Sequence, residues 1–115
     1  MSVRIDPTQV ADAVARRPFA YVITASTHDG PHVRAVVVRW TGESFVVRVG
    51  SQTTKNVGRT GTVTIVWPPL AAGECRNDYD DHTVIADCSA TCVDIGDSHE
   101  LSAHPTAAVW HRPAK

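Results

Sequence analysis

Read from the N-terminus, apolar residues first recur at the spacing of a helix. Val10, Ala11, Ala13 and Val14 make one stripe within residues 7–17, with Asp6 placed to cap it, Pro7 at its first position and Pro18 to end it. The period then changes to two. Phe19, Tyr21 and Ile23 share one face of a strand that stops at the turn signature His28-Asp29-Gly30-Pro31, and residues 32–40 are predicted to pair back on it as a hairpin. That second run is apolar on both faces, with Val33, Ala35 and Val37 on one side and Val36, Val38 and Trp40 on the other. Such a strand belongs at the centre of a sandwich, or in a barrel wall covered outside by a helix or a second subunit. Residues 44–50 alternate again after the turn Thr41-Gly42-Glu43, which predicts a three-stranded meander.

Residues 51–59 lose the alternation, open on a Ser/Thr cluster suited to a helix start, and lead to Gly61, which suits a helix end. Further strands are predicted at 62–67, where Pro68-Pro69 stops the run, at 82–93 and at 106–111. Residues 70–81, polar and rich in Gly, Asp and Asn, read as the most mobile connection. The pattern as a whole predicts one domain over residues 1–115, mainly β, with about six strands and two or three short helices.

Composition fits that picture and narrows the partners. Of 115 residues 43% are hydrophobic and 20% charged, the balance of a soluble globular unit. Eleven basic against twelve acidic side chains leave a net charge of -1, so no global field draws the chain onto nucleic acid or an anionic membrane. A small barrel binding single strands is further disfavoured because lysines and aromatics do not interleave. No apolar run approaches the roughly 18 residues of a membrane span, and Met1 is not followed by a basic start and an apolar run, so a cytoplasmic protein is expected. Cys88 and Cys92 fall four apart on a strand, about 13 Å, so they share a face without bonding. With Cys75 they read as small buried hydrophobes, a redox or metal role being the alternative. No metal site is assigned: His28 and His32 flank a turn that offers no further ligands nearby.

The strongest chemistry joins Arg34 to the helix start at residues 51–55. Free amides at a helix N-terminus, hydroxyls from Ser51, Thr53 and Thr54, and the Lys55 ammonium make a receptor for a phosphate. Arg39 lies five residues from Arg34 and faces the other side of a regular strand. Arg34, at one end of the apolar strip that continues through Val36 and Val38, suits a flat ring system with a phosphate tail. The alternative is a capped surface helix with solvated charges.

Several segments, taken in order, resemble one family. A helix, then Phe19-Ala20-Tyr21-Val22-Ile23-Thr24, Asp29-Gly30-Pro31-His32-Val33, Val36-Val37-Val38-Arg39-Trp40, Gly50-Ser51-Gln52-Thr53-Thr54-Lys55-Asn56-Val57 and Val63-Thr64-Ile65-Val66-Trp67-Pro68 are similar to the pyridoxamine 5'-phosphate oxidase-like flavin and deazaflavin nucleotide-binding split barrels. The closing Ala108-Val109-Trp110-His111-Arg112-Pro113 resembles their terminal strand. The resemblance implies a six-stranded antiparallel split β-barrel of Greek-key type that forms a homodimer and holds FMN, or the deazaflavin coenzyme F420, in grooves between subunits. Carried over by position, Arg34 and Ser51, Gln52, Thr53, Thr54 and Lys55 hold the phosphate, and the backbone of Val36, Val37 and Val38 borders the isoalloxazine. Trp110 and Arg112 approach from the other subunit. Family members usually place a basic residue near Thr53, whereas here the lysine falls at Lys55. The implied function is an oxidoreductase acting on an unidentified small molecule, the hydride chemistry belonging to the flavin, with no side chain assigned as catalytic. The chain is short beside the pyridoxamine oxidases proper and lacks their long C-terminal substrate segment, so that activity is not expected. The alternative is a non-catalytic barrel that sequesters flavin or haem, for which His104 and His111 would be candidate ligands.

Overall fold

A computed structural model describes residues 1–113. The first turn forms as the sequence dictates: the Asp6 carboxylate accepts from the Thr8 N–H at 2.9 Å, and a 3-10 turn over Pro7–Gln9 continues into α1, Val10–Val14. Val10 and Val14 are buried beneath it. The helical part is shorter than the predicted 7–17.

Eight strands follow the chain as β1 (Ser2–Ile5), β2 (Ala20–Thr24), β3 (His32–Val36), β4 (Arg39–Trp40), β5 (Phe45–Val49), β6 (Thr62–Trp67), β7 (Thr83–Ile95) and β8 (Ser98–His111). They make one sheet in the order β3-β2-β6-β7-β8-β5-β4, with β1 paired to β8. The edge strands β3 and β4 are separated in sequence only by Val37 and Val38. Two residues span about 10 Å at most, so the sheet must curl until its edges meet. That closure is the split barrel. The predicted strand over residues 32–40 is therefore two strands around a corner, and the expected meander is corrected. β3 pairs with β2 from His32↔Thr24 to Val36↔Ala20, while β4 pairs with β5.

The strands number eight, not six, because residues 32–40 split into β3 and β4 and β1 adds one; β8 is also longer than expected. β8 begins at Ser98, far ahead of the predicted 106, because His99, Glu100, His104 and Pro105 mask its alternation. Asp87 pairs with Ala107 and Cys88 with Pro105, so Thr106 is bulged, its hydroxyl donating to the Asp87 carbonyl at 3.1 Å. A proline at a bulge is tolerated in a strand. The bulge divides the work of β8: residues 99–103 pair with β5, and residues 108–111 pair with β1. β1 adds a further strand the pattern did not reveal.

Inside the barrel Phe45, Ile65, Trp67 and Leu101 are essentially inaccessible, each worth roughly 1.5–3 kcal/mol of burial. The Phe45 ring lies 5.2 Å from that of Trp67 and 4.7 Å from that of Trp40. Helix α2 (Ser51–Thr60) closes one mouth: Val57 is buried, Asn56 Nδ2 donates to Thr24 Oγ1 at 3.0 Å, and Gly61 takes the left-handed conformation that ends the helix. All three cysteines are free, and burial pushes the Cys88 thiol up to about 12.

The connection expected to be most mobile is heavily tied down. Leu70 and Asp80 are buried, and the Asp80 carboxylate pairs with Arg16 while accepting the Arg76 and Asn77 N–H groups at 2.8 and 3.0 Å. Arg17, only 7% exposed, donates to the carbonyls of Pro68, Tyr79 and His82 at 3.0, 3.2 and 2.6 Å. On the outer face of the sheet Phe19, Tyr21 and Val33 remain exposed, with Tyr21 beside Ala35 and Ile23 beside Val33 across the strands.

Candidate functional site

Strand β3 and the start of α2 bound a cavity of about 690 Å³. Its lining joins His32, Arg34 and Val36 from β3, Arg48 and Val49 from β5, and Ser51, Gln52 and Thr53 from α2. The tip of the β7–β8 hairpin, at Asp97, Ser98 and His99, forms the remaining wall. The register explains the convergence: Val49 pairs with His99, and Gly50, the next residue, is the N-cap of α2.

Gly50 has no side chain to cap the helix, and the first turn holds no acid. The first helical bond, Thr54 N–H to the Gly50 carbonyl at 3.1 Å, leaves the amides of residues 51–53 without intrahelical acceptors. The Thr54 hydroxyl is occupied by the same Gly50 carbonyl at 3.0 Å. Gln52 Nε2 donates to Asn56 Oδ1 at 3.0 Å, fixing the helix start to the chain that reaches Thr24.

Neither arginine of the cavity is committed to an acid. Arg34 donates only to the neighbouring Val33 carbonyl, at 2.8 Å, and no carboxylate lies within 4 Å of Arg34 or Arg48 among the described residues. The His99 ring is held differently, its Nδ1 lying 2.7 Å from Asp94 Oδ1 across the hairpin. Two guanidiniums without an acid partner and the unpaired amides around one space form a receptor for an anion.

Of the residues expected here, Arg34, Val36, Ser51, Gln52 and Thr53 come together. Thr53 is buried within the helix start, and Thr54 and exposed Lys55 lie outside the lining. Val37, at the corner, is 77% exposed, and Val38 lines a separate cavity with Trp40, Phe45 and Trp67. Within one chain Trp110 and Arg112 do not reach Arg34. Trp110 stacks on Tyr79 at 5.1 Å beneath the Arg17 guanidinium, and Arg112 lies 3.8 Å from Asp81. Arg48, Asp97, Ser98 and His99 were not expected at the site. Arg48 alone carried a signal, as the one charge in an otherwise apolar strand two residues before Gly50.

No family model matches the chain. Two uncharacterised mycobacterial proteins, Mb0449c of Mycobacterium bovis and MT0457 of Mycobacterium tuberculosis, are each 30% identical to it over 96% of its length and 82% of theirs. Among solved structures, a Clostridium acetobutylicum protein of the pyridoxinephosphate oxidase family superposes with a TM-score of 0.64 at 9% identity, covering 94% of this chain and 91% of that one. The chain is related to these mycobacterial proteins and has the split-barrel fold of the pyridoxamine 5'-phosphate oxidase-like proteins. An F420 reductase shares this fold at a TM-score of 0.64 and 15% identity, over 84% of this chain and 94% of its own. The Vibrio cholerae haem storage protein HutZ does so at 0.64 and 12%, over 94% of each. At such identities these likenesses speak for the fold. No helix among the described residues is long and apolar enough to cross a membrane.

Proposed function

We propose that the protein binds a flavin-type nucleotide, FMN or the deazaflavin coenzyme F420, by its phosphate in the Arg34 cavity and serves as an oxidoreductase on a small molecule. The observation that carries the reading is the convergence of Arg34, Arg48 and the uncapped start of α2 on one space with no acid paired to either arginine. The FMN phosphate, a monoester with charge near −1.5 to −2 and three acceptor oxygens, answers these donors in number and sign, and a phosphodiester answers them with one charge. When bound, the ring would supply the redox chemistry. The chain's residues hold the phosphate, border the ring at Val36 and exclude water. The family resemblance adds that the ring sits between two copies, and the exposed apolar face around Tyr21 and Val33 supports a homodimer.

The test is a binding panel on the purified protein with FMN, F420 and haemin, followed by absorption and fluorescence, with light scattering for the assembly. FMN or F420 should bind a dimer. Binding of haemin alone would overturn the reading in favour of a haem-holding barrel, and a monomer that binds none of the three would overturn it altogether.

A further inference from the structure

The hairpin tip brings a histidine to the cavity that the phosphate reading does not use. His99 pairs with Val49 in register, one residue from the N-cap of α2, and lines the same space as Arg34 and Arg48. Its Nδ1 is taken by Asp94 at 2.7 Å. An ionised carboxylate only accepts, so Nδ1 carries the proton and Nε2 is the nitrogen left for a ligand.

The consequence follows from tautomer chemistry. In a neutral ring so clamped, Nε2 is bare and presents a lone pair, which repels a phosphate oxygen. Once protonated, the same atom becomes a cationic N–H donor. Resting on the phosphate reading above, we propose that His99, with its tautomer set by Asp94, is a phosphate-binding residue whose protonation strengthens ligand binding. Asp94 is a positioning residue in this arrangement. Without it the neutral ring could move its proton to Nε2 and donate at any pH.

The charged groups facing the imidazole are Asp94 and Asp97 on the hairpin, Arg48 on β5, and Arg34 and His32 on β3; Glu100 is its neighbour in the chain. Helix α2 offers only amides, hydroxyls and Gln52 there. His32 and the phosphate itself, whose second pKa as a free monoester is near 6, also exchange protons with solvent. A comparison with His99→Gln at each pH cancels both.

FMN titrations of the parent, His99→Gln and Asp94→Asn from pH 5.5 to 8.5 at constant ionic strength test this. The ratio of parent to His99→Gln affinity should rise about tenfold from the alkaline to the acid end. In Asp94→Asn the corresponding rise should shrink to about twofold or less. By reciprocity, saturating the parent with FMN should raise the His99 titration midpoint seen by NMR, a readout that needs no variant. Superimposable profiles for parent and His99→Gln, with an unmoved midpoint, would overturn the inference while Arg34→Ala still weakened FMN. If Arg34→Ala left FMN binding unchanged, the phosphate reading would fail and this inference with it.

Discussion

Two pairs of arginines divide the labour of this barrel. Arg16 and Arg17, between α1 and β2, are held by the protein: one by the buried Asp80 carboxylate, the other by a set of backbone carbonyls, with its guanidinium 5.7 Å over the Trp110 ring. Arg34 and Arg48, at the opposite site, touch no acid and border an open cavity beside bare helix amides. The first pair ties residues 68–82, which also carry turn bonds of their own, to the start of the barrel. The second pair gains little for the fold from being where it is. A charge held by several protein acceptors builds structure, and a charge with no acid partner in a cavity is available to a ligand.

The contrast predicts opposite phenotypes. Arg17→Met should leave several buried carbonyls without donors and cost about 2–4 kcal/mol, read as a lower denaturant midpoint in equilibrium unfolding. The Arg17 Nε is the one buried side-chain polar atom without a partner among the described residues, so its own loss adds nothing to that sum. Arg34→Ala should do the reverse. It removes a charge-assisted bond worth about 1.5–3 kcal/mol of FMN affinity, roughly ten- to a hundredfold by calorimetry, with the unfolding midpoint scarcely moved. A variant that lost stability and affinity together would erase the division.

A pH experiment sharpens the structural side. Arg16 first, then the Arg76 and Asn77 amides, hold the Asp80 carboxyl well below the usual carboxylate range. The unfolded chain then binds more protons in that region, so stability rises with pH through it. The contribution is fully present above the ordinary value near 3.9 and is lost as pH falls toward the folded value. Asp80→Asn should therefore flatten the acid limb of a stability–pH curve below about pH 4. The smallest effect belongs to Lys55→Ala. That exposed ammonium lies outside the cavity lining, so FMN affinity should fall by less than about threefold at moderate salt, and the loss should fade as salt rises.

Much of this was legible in the chain. The Asp6-Pro7 start of the first helix, the period-two runs of β2, β5 and β6, and the stop at Pro68-Pro69 are local signals, and each landed in place. Arg34 and the start of α2 were found together because a cation and a hydroxyl-rich helix start are both visible in one dimension. What stayed hidden is non-local. The break at Val37–Val38 looks like continuous strand because both halves are apolar; only closure of the sheet reveals a corner. His99 and Asp97 belong to a hairpin whose polar, proline-containing second strand reads as loop. Arg16 and Arg17 look like solvated charges after a helix, since nothing in their neighbourhood announces Asp80 sixty-odd residues away.

The central claim is that the cavity between β3, β5 and α2 recognises a phosphate. Riboflavin and FMN differ only by that group, so the most direct measurement is a calorimetric titration of both into the parent protein at neutral pH and low salt. FMN should bind at least tenfold more tightly, as expected for one or more charge-assisted bonds to the phosphate. Equal affinity for the two would contradict it.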